Sequence, residues 1–262
     1  MQKNQKNEVI YYSFSNINTP HCFTTKHGGL SKGHTATMNL DTNKEESEIV
    51  MQNYRILCNI LGFNYDSITR IPQWHTNLVV TVTESNIGNL VHKPNVLGAA
   101  DALVTNIPNV TLVTLHADCL PLYFYDPIAS CIGLAHAGWR GTISNIAKAV
   151  IQKMRLIYNT NPKNIIVGIG PGICQNCFEV NAPVANTFYE NGPNKVYKYI
   201  KRNNNKYNIN LSGVNTAFML EYGIQKNNIN VSNICTKCNS DMFYSHRLSG
   251  KNRGTMAAFM CL

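Results

Sequence analysis

Residues 116–142 read HADCLPLYFYDPIASCIGLAHAGWRGT and set Cys119 and His136 at the open ends of two apolar runs. Asp126-Pro127 between the runs is a turn signal, so the segment reads as a β-hairpin. Pairing Asp126 with Cys131 puts Pro121 opposite His136. Cys119 then lies two residues along on the same face, roughly 7–8 Å away between Cα atoms. From there a thiolate reaching about 2.3 Å and an imidazole reaching about 2.0–2.1 Å can meet on one metal ion. A register shift of one residue would send them to opposite faces. A catalytic zinc takes three protein ligands and keeps one position open. His75, in IPQWHTNLVVTV at the mouth of a strand, is the candidate third donor. Each residue alone also suits an ordinary role: a surface histidine, a small buried hydrophobe, a core histidine bonded to a carbonyl.

The hairpin exit, HAGWRGT, offers different chemistry. Gly138 and Gly141 allow close backbone approach, Arg140 presents a fork of donors, and a long helix is expected to begin near Thr142. Free N–H groups at a helix start beside a guanidinium suit a phosphate or oxyanion. A plain helix N-cap with Arg140 in a structural ion pair fits the same pattern.

The elements that must position these residues are mostly strands: EVIYYSFS, HCFTT, TNLVVTV, NVTLVTLH, the two hairpin arms, NIIVGIG, KVYKYI and GTMAAFMCL. Helices are expected at EESEIVMQNYRILCNILGF, TISNIAKAVIQKMRLIYN, APVANTFYEN and LSGVNTAFMLEYG. Strands outnumber helices and do not alternate with them regularly. The reading is an α+β fold, a single domain over residues 1–262 with mixed sheets flanked by helices.

With 44% hydrophobic and 14% charged residues in 262, the chain can bury a sizeable core. Its net charge of +9 suits either a polyanion or a small anionic substrate such as phosphate or a nucleotide. The basic residues are scattered, and their one cluster, KVYKYIKRNNNK (195–206), reads as a solvated loop; no nucleic-acid partner is expected. No apolar stretch approaches the roughly 20 residues of a membrane span. The opening residues lack the apolar segment of a secretory signal, so a cytoplasmic location is expected. Nine cysteines then point to metal or catalytic use ahead of disulfides. Cys131, at the turn end of the hairpin, is assigned to the core. Two CxxC pairs, CQNC (174–177) and CTKC (235–238), could form a closed four-thiolate site, although residues 178–234 make a far longer gap than zinc ribbons use.

Seven segments run in order: TTKHGGLSKGHTATMNL (24–40), PQWHTNLV (72–79), ADALVTN (100–106), HADCLPLYFYDP (116–127), GLAHAGWRGT (133–142), GIGPGICQNCFEV (168–180) and CTKCNSDMFYSHR (235–247). Together, over nearly the whole chain, they resemble the laccase-domain family of polyphenol-oxidase-like, zinc-dependent purine nucleoside phosphorylases. The resemblance implies one zinc held by His75, Cys119 and His136. It implies phosphorolysis of adenosine, inosine, guanosine and methylthioadenosine with inorganic phosphate, and adenosine deamination as well. In deamination zinc would lower the pKa of a water that attacks C6 of the purine. In phosphorolysis phosphate attacks C1′ of the ribose, where positioning and electrostatics dominate. By the same resemblance Arg140 and the TTKHGG loop with Lys26 would hold phosphate or ribose; Asp101 and Asp118 are the candidate carboxylates at the substrate, as proton carriers.

Three positions depart from the family pattern. Lys26 stands where arginine is usual, which keeps the charge but loses the bidentate fork. His116 replaces a small hydroxyl residue and is expected to be a bystander. Trp74 puts a bulky ring beside His75.

Two other chemistries use the same residues. A metal-free cysteine hydrolase would take Cys119 as nucleophile and His75 or His136 as base. A copper oxidase of phenols would need a blue-copper site and a trinuclear cluster rich in His-x-His pairs. The chain has eight histidines and no His-x-His, so copper is expected only as an occupant of the His/Cys donors.

Overall fold

Leu112 and Val113 are neighbours on one strand and both are buried, each in a different core. A strand covered on both faces belongs to an inner layer. In the computed structural model, which describes residues 1–262, two six-stranded sheets lie face to face with helices outside them.

Strands are numbered in chain order. The first sheet runs β1 (Gln2–Lys6), β2 (Val9–Ser13), β3 (His21–Thr24), β15 (Met256–Cys261), β7 (Thr111–His116) and β4 (Ile68–Thr69). The second runs β14 (Ile229–Val231), β10 (Ile166–Ile169), β8 (Leu120–Asp126), β9 (Cys131–Ala137), β6 (Ala102–Thr105) and β5 (Val79–Thr81). A small third sheet orders β11 (Glu179–Val180), β13 (Lys206–Ile209) and β12 (Ile200–Asn203). Both large sheets mix directions, with β4–β7, β5–β6 and β10–β14 parallel. This is the expected α+β architecture.

Side-chain alternation distributes the cores. Leu112, Ala258 and Met260 from the first sheet meet Leu103, Tyr123 and Leu134 from the second in the central layer. The outer face of the first sheet is covered by α1 (Ser47–Leu61) through Val50, Tyr54 and Leu57. Leu122, Phe124 and Ala135 face the other way, against Val150 and Met154 of α3 (Ile146–Tyr158) and Phe218 of α5 (Leu211–Glu221). No helix is long and apolar enough to cross a membrane.

The hairpin has the expected register, with Asp126 opposite Cys131 and Pro121 opposite His136. Cys131 is fully buried in the core.

Three expectations need correction. The long helix does not start near Thr142. A short helix, α2 (Trp139–Ile143), ends first, and Asn145 at φ 60° then caps α3, its side chain accepting the Lys148 N–H. Asparagine tolerates the left-handed backbone and is a good N-cap, so it splits the apolar pattern in two. Arg140 consequently lies inside α2. KVYKYI is a strand only from Ile200, because Val196–Tyr199 form a 3-10 turn. The basic cluster is no open loop either: β12 and β13 pair in a hairpin whose tip, with Asn204 at φ 52°, is exposed. The remaining helices, α4 (Ala182–Asn191) and α6 (His246–Ser249), flank the third sheet and the site described next.

Candidate metal centre and cleft

The hairpin register delivers His136 on β9, and Cys119 sits one residue before β8. His75 comes from the loop leading to β5 and occupies a left-handed backbone at φ 61°. Ligand atoms of His75, Cys119 and His136 all lie within 4.8 Å of one another. Cys119 Sγ is 3.9 Å from His75 Nε2, and the two imidazole rings are 4.9 Å apart at 79°.

One buried carboxylate holds two of these donors in place. Asp101 Oδ1 accepts from His136 Nδ1 at 2.8 Å and from the His75 N–H at 3.0 Å. Its Oδ2 accepts from the N–H groups of Trp74 and Thr76 at 3.2 and 2.6 Å, and from the Thr76 hydroxyl at 2.9 Å. Burial works against the Asp101 charge, but hydrogen bonds from His136 and Thr76 outweigh it and hold the carboxyl below its usual range. With Nδ1 committed to Asp101, His136 keeps Nε2 as its free donor.

Asp118 anchors the third. Its backbone is left-handed at φ 82°. Oδ1 accepts from the Thr236 hydroxyl at 2.6 Å, and Oδ2 from the Ser245 hydroxyl at 3.0 Å and the Arg247 N–H at 2.6 Å. The structure therefore places Asp101 and Asp118 behind the donors, with their oxygens already bonded. Neither stands free in the open space as a proton carrier would.

His116 is no bystander. It is buried, its Nδ1 donates to the Cys119 carbonyl at 3.0 Å, and its Nε2 accepts from the Thr114 hydroxyl at 2.8 Å. Burial, with the His136 charge beside it, pushes its pKa well below the ordinary histidine value. A neutral ring is thus fixed against the backbone of a donor.

Gly138 explains how the three donors close up. A Cβ there would stand 2.7 Å from His75 Cδ2 and 3.0 Å from Cys119 Sγ. Burial opposes a charged Cys119, yet His136 and His75 overcome it and bring the thiol down to about 6. Burial likewise opposes a charged His136, while Cys119 and Asp101 raise it to about 9. Without a metal the pair is a thiolate beside an imidazolium.

The donors face a cleft of about 560 Å³ whose other walls carry Arg70 and Arg253. Arg70 is 5% exposed, and the Nε atoms of both arginines are buried without a hydrogen-bond partner. The one ion pair in the protein is His136–Asp101, so no carboxylate lies within ion-pair distance of either guanidinium. Arg253 Nη1 reaches only the Gly254 carbonyl and the Thr255 hydroxyl. The expected anion groups lie elsewhere: Arg140 is exposed and stacks over Trp139 at 4.3 Å, and Lys26 Nζ donates to the Ser240 carbonyl at 2.7 Å. Neither lines the cleft. Arg70 was findable in the sequence, five residues before His75. Arg253 had no motif around it and arrives only because β15 threads between β3 and β7.

A family described as the multi-copper polyphenol oxidoreductase laccases matches residues 20–262. The chain belongs to this family. Relatives named purine nucleoside phosphorylase include one from Deinococcus radiodurans, 34% identical over 94% of this chain and 90% of its own length. YlmD of Geobacillus stearothermophilus, also so named, is 33% identical over 90% of this chain and 88% of its own. A crystal structure of YlmD from that organism superposes with a TM-score of 0.92, at 30% identity, over 99% of this chain and 98% of that one.

The family name speaks of several coppers. In this member only two groups of side chains could hold a metal, the His75–Cys119–His136 trio and the four CxxC cysteines. Two imidazoles and a thiolate with an open side toward a cleft fit a single catalytic zinc.

Proposed function

We propose that this protein is a purine nucleoside phosphorylase, acting on adenosine, inosine, guanosine and methylthioadenosine, with adenosine deamination at the same site. One observation supports the reading above the others. The trio shares its cleft with the guanidiniums of buried Arg70 and half-buried Arg253. Neither lies within ion-pair distance of a carboxylate, Asp41 and Asp118 acting on Arg253 only from farther off. Each keeps a buried Nε without a hydrogen-bond partner beside space an anion could enter.

In this reading Arg70 and Arg253 hold inorganic phosphate, taking the part first given to Arg140 and Lys26. Their forks suit phosphate oxygens. A phosphate oxygen forms a bond to C1′ of the ribose as the bond from C1′ to the purine nitrogen breaks. The electron pair leaves with the base, which takes up a proton, and ribose 1-phosphate remains. The arginines orient the nucleophile and offset its charge, so the work is positioning and electrostatics. His75, Cys119 and His136 are the residues that would hold the metal, and zinc there supplies a Lewis acid with an open coordination position. Asp101 keeps His136 and the His75 loop aimed at that position, and His116 steadies the Cys119 backbone.

Inosine and phosphate supplied together should yield hypoxanthine and ribose 1-phosphate, with no cleavage when phosphate is left out. Adenosine should be converted to inosine with release of ammonia. Phosphate-independent release of the base would overturn phosphorolysis.

The low thiol pKa of Cys119 favours one second reading, a metal-free thiol hydrolase with His136 or His75 as base. Full activity after exhaustive chelation would select it.

A further inference from the structure

Cys174, Cys177, Cys235 and Cys238 are separated in sequence but not in space: their four Sγ atoms all lie within 4.8 Å of one another. Cys177 and Cys238 approach to 3.4 Å. A tetrahedral zinc with Zn–S bonds of about 2.3 Å has sulfur–sulfur edges near 3.8 Å, and the cluster matches that size.

The local backbone is shaped for it. Each CxxC closes a tight turn, with the Cys177 and Phe178 N–H groups on the Cys174 carbonyl and the Asn239 N–H on the Cys235 carbonyl. The Cys174 N–H points at Cys235 Sγ at 3.3 Å, across the cluster. A parallel bridge between Gly172 and Cys235 sets the two turns side by side. Positive charge stands close by. Arg247 Nη1 binds the Cys177 and Glu179 carbonyls, and Lys237 lies within the second turn.

We propose that these four cysteines bind one zinc ion as a closed tetrathiolate site, separate from the His75–Cys119–His136 trio. Binding releases four thiol protons and leaves a complex of net charge −2, which Arg247 and Lys237 offset. The site is structural, because all four positions are taken by protein.

Its place in the fold gives it a task. Thr236, inside the second turn, donates to Asp118 Oδ1, while Ile173, next to Cys174, donates its N–H to the Asp118 carbonyl at 2.8 Å. Both turns thus grip the residue before Cys119. The zinc clamps together the two loops that fix Asp118, and so holds the Cys119 end of the other metal centre.

Zinc is counted by elemental analysis on protein purified without chelators. Wild type should carry two zincs per chain, C177S/C238S one fewer, and H75A/C119S should keep one. After cobalt substitution C177S/C238S should also lose the strong tetrathiolate charge-transfer bands, leaving only the weaker single-thiolate band of the Cys119 site. Zinc content unchanged by C177S/C238S overturns the proposal, as does a metal-free Cys177–Cys238 disulfide found by mass spectrometry without reductant. If C177S/C238S does not fold, H75A/C119S decides: one zinc upholds the site, none removes it. A failure of the trio to bind zinc would leave wild type at one zinc, still lost in C177S/C238S, so the two assignments fail separately.

Discussion

His136 Nδ1 and Asp101 Oδ1, 2.8 Å apart, form the one ion pair of the protein, and the same carboxylate takes the backbone N–H groups of residues 74–76. Asp101→Asn replaces an acceptor with an NH2 group that faces N–H donors. Breaking a buried pair this way should cost about 3 kcal/mol of stability. Zinc affinity at the trio should fall about 10–100-fold. Thermal denaturation and competition with a chromogenic chelator measure the two effects. An unchanged affinity would show that Asp101 does not orient the donors.

Gly138→Ala is expected to empty the trio without unfolding the protein. Its φ of −73° suits alanine, so the conflict lies with His75 and Cys119 alone. Zinc content should drop by one per chain while the far-ultraviolet circular dichroism spectrum stays as in wild type.

Cys119 should react as a thiolate once metal is removed. Alkylation by iodoacetamide, followed by peptide mass spectrometry, should rise through about pH 6 and then level off. A midpoint near 9 would contradict the thiolate–imidazolium pair. The same pair makes a stability prediction. Between about 6.5 and 9 the folded pair holds one proton on His136, and the unfolded chain holds one on Cys119, so no net protons are exchanged. This pair's contribution should be flat in that window. It falls only from about 6.5 to about 6, where the unfolded chain takes up its extra proton first, and it stays flat above 9, where folded His136 and unfolded Cys119 lose their protons together.

Arg70→Lys keeps a charge but not a fork. The apparent KM for phosphate should rise by about tenfold, with a smaller change in the KM for inosine. Equal shifts in both would place Arg70 outside the phosphate subsite. The matching change at Arg140, exposed on α2, should leave both constants unaltered.

The hairpin and its candidate donors were legible in the sequence because two apolar runs meet at one Asp-Pro turn, which sets the register, and the register sets which ends meet. His75 needed only a strand mouth near by. The supporting groups were not legible. Asp101 and Asp118 look like chemical carboxylates in sequence, and only the N–H and hydroxyl groups arriving from residues 74–76 and 236–247 turn them into brackets. His116 is opaque in sequence for the same reason, since its role lies in one bond to a backbone carbonyl. The break before α3 hinged on a single asparagine that an apolar periodicity does not register. Arg253 depends on where β15 is inserted, a long-range pairing with no local trace.

The position of β15 also sets an order of events during synthesis. This strand, residues 256–261, is laid between β3 and β7, and the groups that grip Asp118 belong to residues 236–247. All three donors of the trio are made by residue 136. A nascent chain halted at residue 200 therefore carries His75, Cys119 and His136 but has neither the central strand nor the grip on the Cys119 loop. The geometry that gathers the trio, with Asp118 gripped and β15 in place, is therefore complete only once residues 236–261 have been made.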